Sequence, residues 1–378
     1  MNSLTISLLN WVRGLCAILV VLGHSRSLGW AHGVPEKLPD VGILKILLIP
    51  TGLAIESVAV FFVLSGYFVG GKVLRQLSVN EFRWHHYLLD RMSRLYTVLI
   101  PGIFVSYFLI KIGLKYQMEN TRIDLKTLSC NLAFLMPNRC SGFAGNSSLW
   151  SLGYEFYFYL LFALFAFLIT TKSSRFTRIV YICIILMIVF AATPKILVLF
   201  PAWLFGVVLW AFLRDKQNLV SRPYLLLLIS LITLIVCTIY MHVLRTSDEL
   251  TIFFVSIVSV PLLSALIIIS DNSSILENRF IKNGNFLGNA SFSVYIFHLP
   301  ILKLMYAIFD IPQEKLPIMQ IFGFASLSIL ASIVLYYPFE RNTQKVRRLM
   351  YLTTKKIFVT LIHLQFLNVN VKSKHEKS

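Results

Sequence analysis

WVRGLCAILVVLGHSRSLG, residues 11–29, reads as a membrane span that carries an arginine and a histidine where hydrocarbon tolerates neither. At the centre of a bilayer an arginine costs roughly 2.5–3.5 kcal/mol on insertion scales, so Arg13 and His24 are expected to face a protein interior or a wet cavity. They are eleven residues apart, about three helical turns, which puts both on one face and ~16 Å apart along the axis. A fixed cation near one end and a titratable imidazole near the other therefore share one side of one helix.

The rest of the chain is of the same kind. Of 378 residues, 57% are hydrophobic and only 14% charged, which excludes an ordinary soluble domain. Runs near twenty residues with few charges fall at 8–28, 46–70, 94–114, 148–170, 177–193, 195–213, 223–244, 250–270, 286–309 and 317–339. The reading is an all-α polytopic membrane helix bundle with about ten transmembrane helices. Only Thr193, Pro194 and Lys195 separate the fifth and sixth runs, so one kinked or re-entrant hairpin is the alternative there. The uncharged start and long first run differ from a cleaved signal peptide and predict a retained first span.

The net charge of +18 orients this bundle rather than recruiting nucleic acid. With the N-terminus in the cytoplasm, the loops and tail on that side hold 22 of the 35 Lys and Arg, against 10 in the opposite loops. The positive-inside bias then places both termini in the cytoplasm, with anionic lipid as the partner of the excess charge. No nucleic-acid module accompanies it. The five cysteines fit no metal-ligand spacing, so no metal is expected. Cys16, Cys183 and Cys237 lie within spans. Cys130 and Cys140 share the loop Lys115–Ser147, which this topology places outside, where they are either paired or free.

Polar residues inside the other spans mark candidate chemistry. ESVAVFFVLSGYFVGG, residues 56–71, opens with Glu56, an acid placed to orient His24, to face an outer ligand or to serve structure alone. Its Ser65, Gly66 and Gly70 are small enough to let helices approach closely. RWHHYLLDRMSRLY precedes the third run, and its Arg91 and Arg94 share a helix face. They read equally as a phosphate clamp on the cytoplasmic side or as a positive-inside flank. SSLWSLGYEFYFYLLF opens the fourth run, with Trp150 as an interfacial anchor and Glu155 about a turn and a half inside. Glu155 and His24 approach the same level, as an ion pair, a proton relay or a plain salt bridge. In NASFSVYIFHLPIL, His298 stands beside Pro300, where a bend frees backbone groups and tends to face a cavity; His298 is its wall or a reactive group.

In this order and spacing, Arg13 with His24, FFVLSG at 61–66, Arg91 with Arg94, LWSLGYEF at 149–156 and SFSVYIFHLP at 291–300 resemble the membrane acyltransferase 3 family. The resemblance runs over about residues 8–341. It implies an integral-membrane O-acyltransferase domain over residues 1–341, followed by a basic cytoplasmic tail at 342–378. It implies His24 as the catalytic histidine with Arg13 as its partner, and Arg91 and Arg94 at the donor, cytoplasmic acyl-CoA. Trp150 and Glu155 would line the site, with Glu155 set beside the catalytic pair. Many members have an acid where this chain has Ala59; Glu56, one turn earlier, is the substitute.

The implied reaction moves an acyl group, acetyl by frequency in the family, to a hydroxyl of an extracytoplasmic glycan such as O-antigen, capsule or exopolysaccharide. His24 then acts either as general base or as a transient acyl carrier. The expected site lies in the cell inner membrane, with acyl-CoA as donor substrate, no permanently bound cofactor, and Glu56, Ser65, Trp150 and His298 as lining. The competing class is a transporter or flippase of a lipid-linked sugar or small anion, which also needs buried charge; the sequence repeats common in such carriers are not evident.

Overall fold

The computed structural model describes residues 3–29, 46–116, 123–136, 139–170, 174–191, 193–216, 221–272, 284–309 and 317–355. Among them there is no strand. The long helices are α1 (Ser3–Gly29), α2 (Ala54–Ser65, continued by one wide turn at Gly66–Gly70 and by Gly71–Ser78) and α3 (Trp84–Gly113). After the short α4 (Leu125–Leu132) come α5 (Trp150–Thr170), α6 (Arg175–Ala191), α7 (Ile196–Lys216) and α8 (Pro223–Val243). The last three are α9 (Asp248–Asn272), α10 (Gly284–Ile308) and α11 (Pro317–Tyr336). Nine helices among the described residues are long and apolar enough to cross a membrane, so the chain is a multi-pass membrane protein.

The fifth and sixth apolar runs form two helices, α6 and α7. At 17 residues α6 is short, yet it travels the depth of α5. Near its start Tyr181 packs on Trp84 and Phe167, and just past its end Thr193 bonds the Tyr154 hydroxyl at 2.8 Å. At 1.5 Å per residue that is ~25 Å, the lower end of what a span needs.

Small residues decide where helices meet. A Cβ on Gly206 would lie 1.8 Å from the Val63 carbonyl oxygen, and one on Gly66 would lie 2.0 Å from that of Trp203, so only glycine lets α2 and α7 touch. Between α1 and α10 the contact is nearly as close, with a Cβ on Gly288 placed 2.4 Å from that of Asn10. Contacts along this pair run in the same order in both helices, from Trp11 with Gly284 to Ser25 with Tyr306, so α1 and α10 are parallel.

The end of the loop Lys115–Ser147 turns into the bundle: Phe143, Ala144 and Asn146 are buried, as are Ser148 and Leu149 beyond it. The physical reason lies in α10. Pro300 lacks the N–H that would close on the Ile296 carbonyl, and a buried carbonyl without a donor is costly. Asn146 supplies that donor through Nδ2 at 3.0 Å, and a second hydrogen bond, to Ser106 Oγ at 3.1 Å, ties the same amide to α3. Lys303 Nζ holds the adjacent Gly145 carbonyl at 2.7 Å. A disulfide joins Cys130 and Cys140, with 6.4 Å between their Cα atoms, and fastens the outer part of this loop to α4.

Candidate active site

Close packing of α1 on α10 turns the polar face of α1 into the interior. Arg13 Nη2 donates to Ser291 Oγ at 3.3 Å, and the His24 ring lies 5.1 Å, centroid to centroid, from that of His298. Both side chains thus point at the same neighbour, as their eleven-residue spacing requires.

Around Arg13 the helices enclose a cavity of about 330 Å³. Arg13 comes from α1, Ser65 from α2, Arg91 and Arg94 from α3, and Glu155 and Tyr159 from α5, while α10 closes it with Ser291, Phe292 and Tyr295. The guanidinium groups rest on aromatic faces: those of Arg94 and Arg13 lie 4.9 and 5.5 Å from the Phe292 centroid, and that of Arg91 lies 5.9 and 5.7 Å from Tyr87 and Tyr159. Such stacking holds a cation in place while leaving its N–H edges free to donate. Arg91 Nε is buried and has no hydrogen-bond partner among the described residues.

Glu155 is the one carboxylate in the lining. It accepts from Ser65 Oγ at 2.7 Å and from the Tyr159 hydroxyl, and Trp203 Nε1 in turn donates to Ser65 Oγ at 3.2 Å. Its partners are thus hydroxyls of α2 and α5, and it makes no hydrogen bond or ion pair with His24. Ser65 belongs to this network as well as to the small-residue face. Trp150 opens α5 half-buried, its ring packed edge-on against Phe62 at 6.3 Å.

Glu56 goes elsewhere. It is buried near the other end of α2, with Oε1 3.4 Å from His242 Nδ1 of α8, and it is absent from the cavity lining. Three further predicted residues, Trp150, His24 and His298, also lie outside the lining; Tyr295 stands between the cavity and the two imidazoles, its ring 6.1 Å from His298 and 5.9 Å from Phe61.

One buried acid escaped the sequence reading. Glu340, just past α11, accepts from both the backbone N–H and Oγ of Ser293, at 2.8 and 2.7 Å, and its charge acts on Arg94 and Arg13. Three arginines are therefore set against two carboxylates, Glu155 within the cavity and Glu340 behind it, so the chamber is net basic. The only signal for Glu340 in the sequence was an acid at the end of an apolar run, in a stretch otherwise rich in Lys and Arg.

A multi-pass helical bundle with a basic chamber among its helices is an integral-membrane protein with a polar interior site. The chain belongs to the membrane acyltransferase 3 family: the family's acyltransferase domain matches residues 6–337. It is a membrane acyltransferase. No curated protein and no solved structure matches it significantly.

Proposed function

We propose that the protein is an O-acyltransferase of the cell inner membrane, with both termini cytoplasmic, that moves an acyl group, acetyl in the first instance, from cytoplasmic acyl-CoA to a hydroxyl of an extracytoplasmic glycan. The observation that carries this reading is the convergence of Arg13, Arg91 and Arg94 on one cavity, with a buried Arg91 donor still unspent. Coenzyme A is a polyanion on a long arm. Guanidinium forks match phosphate oxygens, and in a water-poor chamber each such contact is stronger than at a surface.

With phosphates at the arginines, the pantetheine arm runs along α1 toward His24, whose backbone is ~16 Å further at 1.5 Å per residue. The arm passes Tyr295 and Phe61 to do so. The acceptor hydroxyl meets the acyl group at His24, whose imidazole acts as general base or as transient acyl carrier. Glu155 balances the arginines, while its hydroxyl partners Ser65 and Tyr159 fix its direction. O-antigen, capsule and exopolysaccharide all supply acceptors of the required chemistry.

The test is transfer of labelled acetyl from acetyl-CoA by the purified protein in nanodiscs to the glycan fraction of its native membrane. Transfer that falls by at least ~10-fold in kcat/KM on Arg91→Ala, in keeping with the loss of a charge-assisted contact, supports the reading. A lipid-linked sugar carrier would transfer no label at all.

A further inference from the structure

His298 is the residue of the site whose chemistry is most sharply defined. It is 0% exposed, and its Nδ1 lies 3.1 Å from the Val294 carbonyl one turn back in α10. A carbonyl only accepts, so Nδ1 carries the ring hydrogen and Nε2 presents a lone pair. That Nε2 is buried and has no donor among the described residues. Buried acceptors are nearly always satisfied, and one left open beside a reactive group calls for a donor in the working complex. The ring of His24 packs against it, tilted by 42° with centroids 5.1 Å apart.

The surroundings hold His298 in place without filling Nε2. Tyr295 flanks the ring on α10, and Ser328 of α11 donates to the His298 backbone carbonyl at 3.1 Å, not to the ring. Just C-terminal, Pro300 breaks the helix ladder, and Asn146 mends it at Ile296. The imidazole is thus fixed beside a braced gap in the helix ladder, its free lone pair in the neighbourhood of His24.

We propose that His298 Nε2 is the base that takes the proton of the acceptor hydroxyl, and that the acyl group reaches that hydroxyl by way of His24. This rests on the acyltransferase reading above and decides between the two roles left open for His24. In the first half, a ring nitrogen of His24 attacks the thioester carbonyl carbon. The C–N bond forms, the C–S bond breaks, and coenzyme A leaves as its thiol with the hydrogen displaced from His24. In the second half, the acceptor oxygen attacks the same carbon while its hydrogen passes to His298 Nε2. The C–N bond breaks, its electron pair returns to His24, and the adjoining His298 hands the hydrogen across. Neither half needs another reactant.

The experiment uses the full-length protein in nanodiscs and two readouts. The first is exchange of labelled coenzyme A into unlabelled acetyl-CoA without acceptor; the second is transfer of labelled acetyl to the glycan fraction. Wild type is expected to catalyse both. His298→Asn, which removes the base and keeps a polar side chain of similar reach, should retain exchange and hold up to one acetyl per chain on His24. Its transfer should fall by about 10²- to 10⁴-fold, the usual contribution of a positioned base. His24→Ala should abolish both. The proposal is overturned if wild type transfers acetyl but shows no exchange, or if His298→Asn transfers within a few-fold of wild type. Should His298→Asn fail to fold, His298→Gln takes its place in both readouts, with the same expected and overturning results. If wild type transfers nothing from acetyl-CoA or from any longer acyl-CoA, the acyltransferase reading fails instead.

Discussion

Replacing Asn146 by alanine tests how the inward loop is tied to the proline-interrupted helix α10. The side chain is fully buried and makes three hydrogen bonds: Nδ2 to the Ile296 carbonyl and to Ser106 Oγ, and Oδ1 from Ser148 Oγ at 2.5 Å. Hydrogen bonds between membrane helices are worth ~0.6 kcal/mol on average, and a buried acceptor stripped of its donor costs ~1–3 kcal/mol. Ser106 Oγ also donates to the Gly102 carbonyl, so it keeps a partner, whereas Pro300 leaves Ile296 with no substitute. Asn146→Ala should therefore destabilise the bundle by about 2–4 kcal/mol, mostly through one carbonyl. Ser148→Ala, which loses a single bond, should cost under ~1 kcal/mol. Equilibrium unfolding by SDS titration in bicelles measures both. Equal, small costs below ~0.5 kcal/mol for the two variants would refute the argument that the loop completes the broken helix.

Gly206→Ala, whose Cβ would meet the Val63 carbonyl at 1.8 Å, should force α2 from α7 and destabilise by about 2 kcal/mol or more, while Gly323→Ala, with nothing within 4 Å, should be neutral or gain up to ~1 kcal/mol; the same unfolding assay separates them. Cys130 and Cys140 should resist thiol labelling in intact membranes until reductant is added, and closing so short a loop is worth about 2–3 kcal/mol to its local order; full labelling without reductant would exclude the bond. Tyr295→Ala should open the wall between the cavity and His24 and raise butyryl relative to acetyl transfer by about tenfold or more, with Tyr295→Phe unchanged; an unaltered ratio in Tyr295→Ala would mean that Tyr295 does not gauge acyl length.

Arg13 and His24 were legible in the sequence because a bilayer makes buried polarity conspicuous, and helix geometry then fixed their common face. Arg91 and Arg94 were ambiguous there, since a cytoplasmic flank has the same composition as a ligand clamp, and only the fold showed α3 beginning at Trp84 and carrying both into the cavity. The inward loop was not legible at all. Gly142 to Ser148 holds two glycines, an asparagine and two serines around Phe143 and Ala144, the usual mark of a surface turn, and nothing local says that a proline 154 residues later needs Asn146. Glu340 and Glu56 illustrate the same limit. Which cation a buried acid faces is a property of helix packing, and packing put Glu56 on His242 and Glu340 on the arginines.

The account stands on His24 as the point where acyl transfer takes place. The direct measurement is acetyl transfer from acetyl-CoA by His24→Ala, in nanodiscs, alongside wild type of equal unfolding stability. A loss of at least ~10³-fold in the variant is the predicted result. A stable His24→Ala protein that transfers acetyl at the wild-type rate would contradict it.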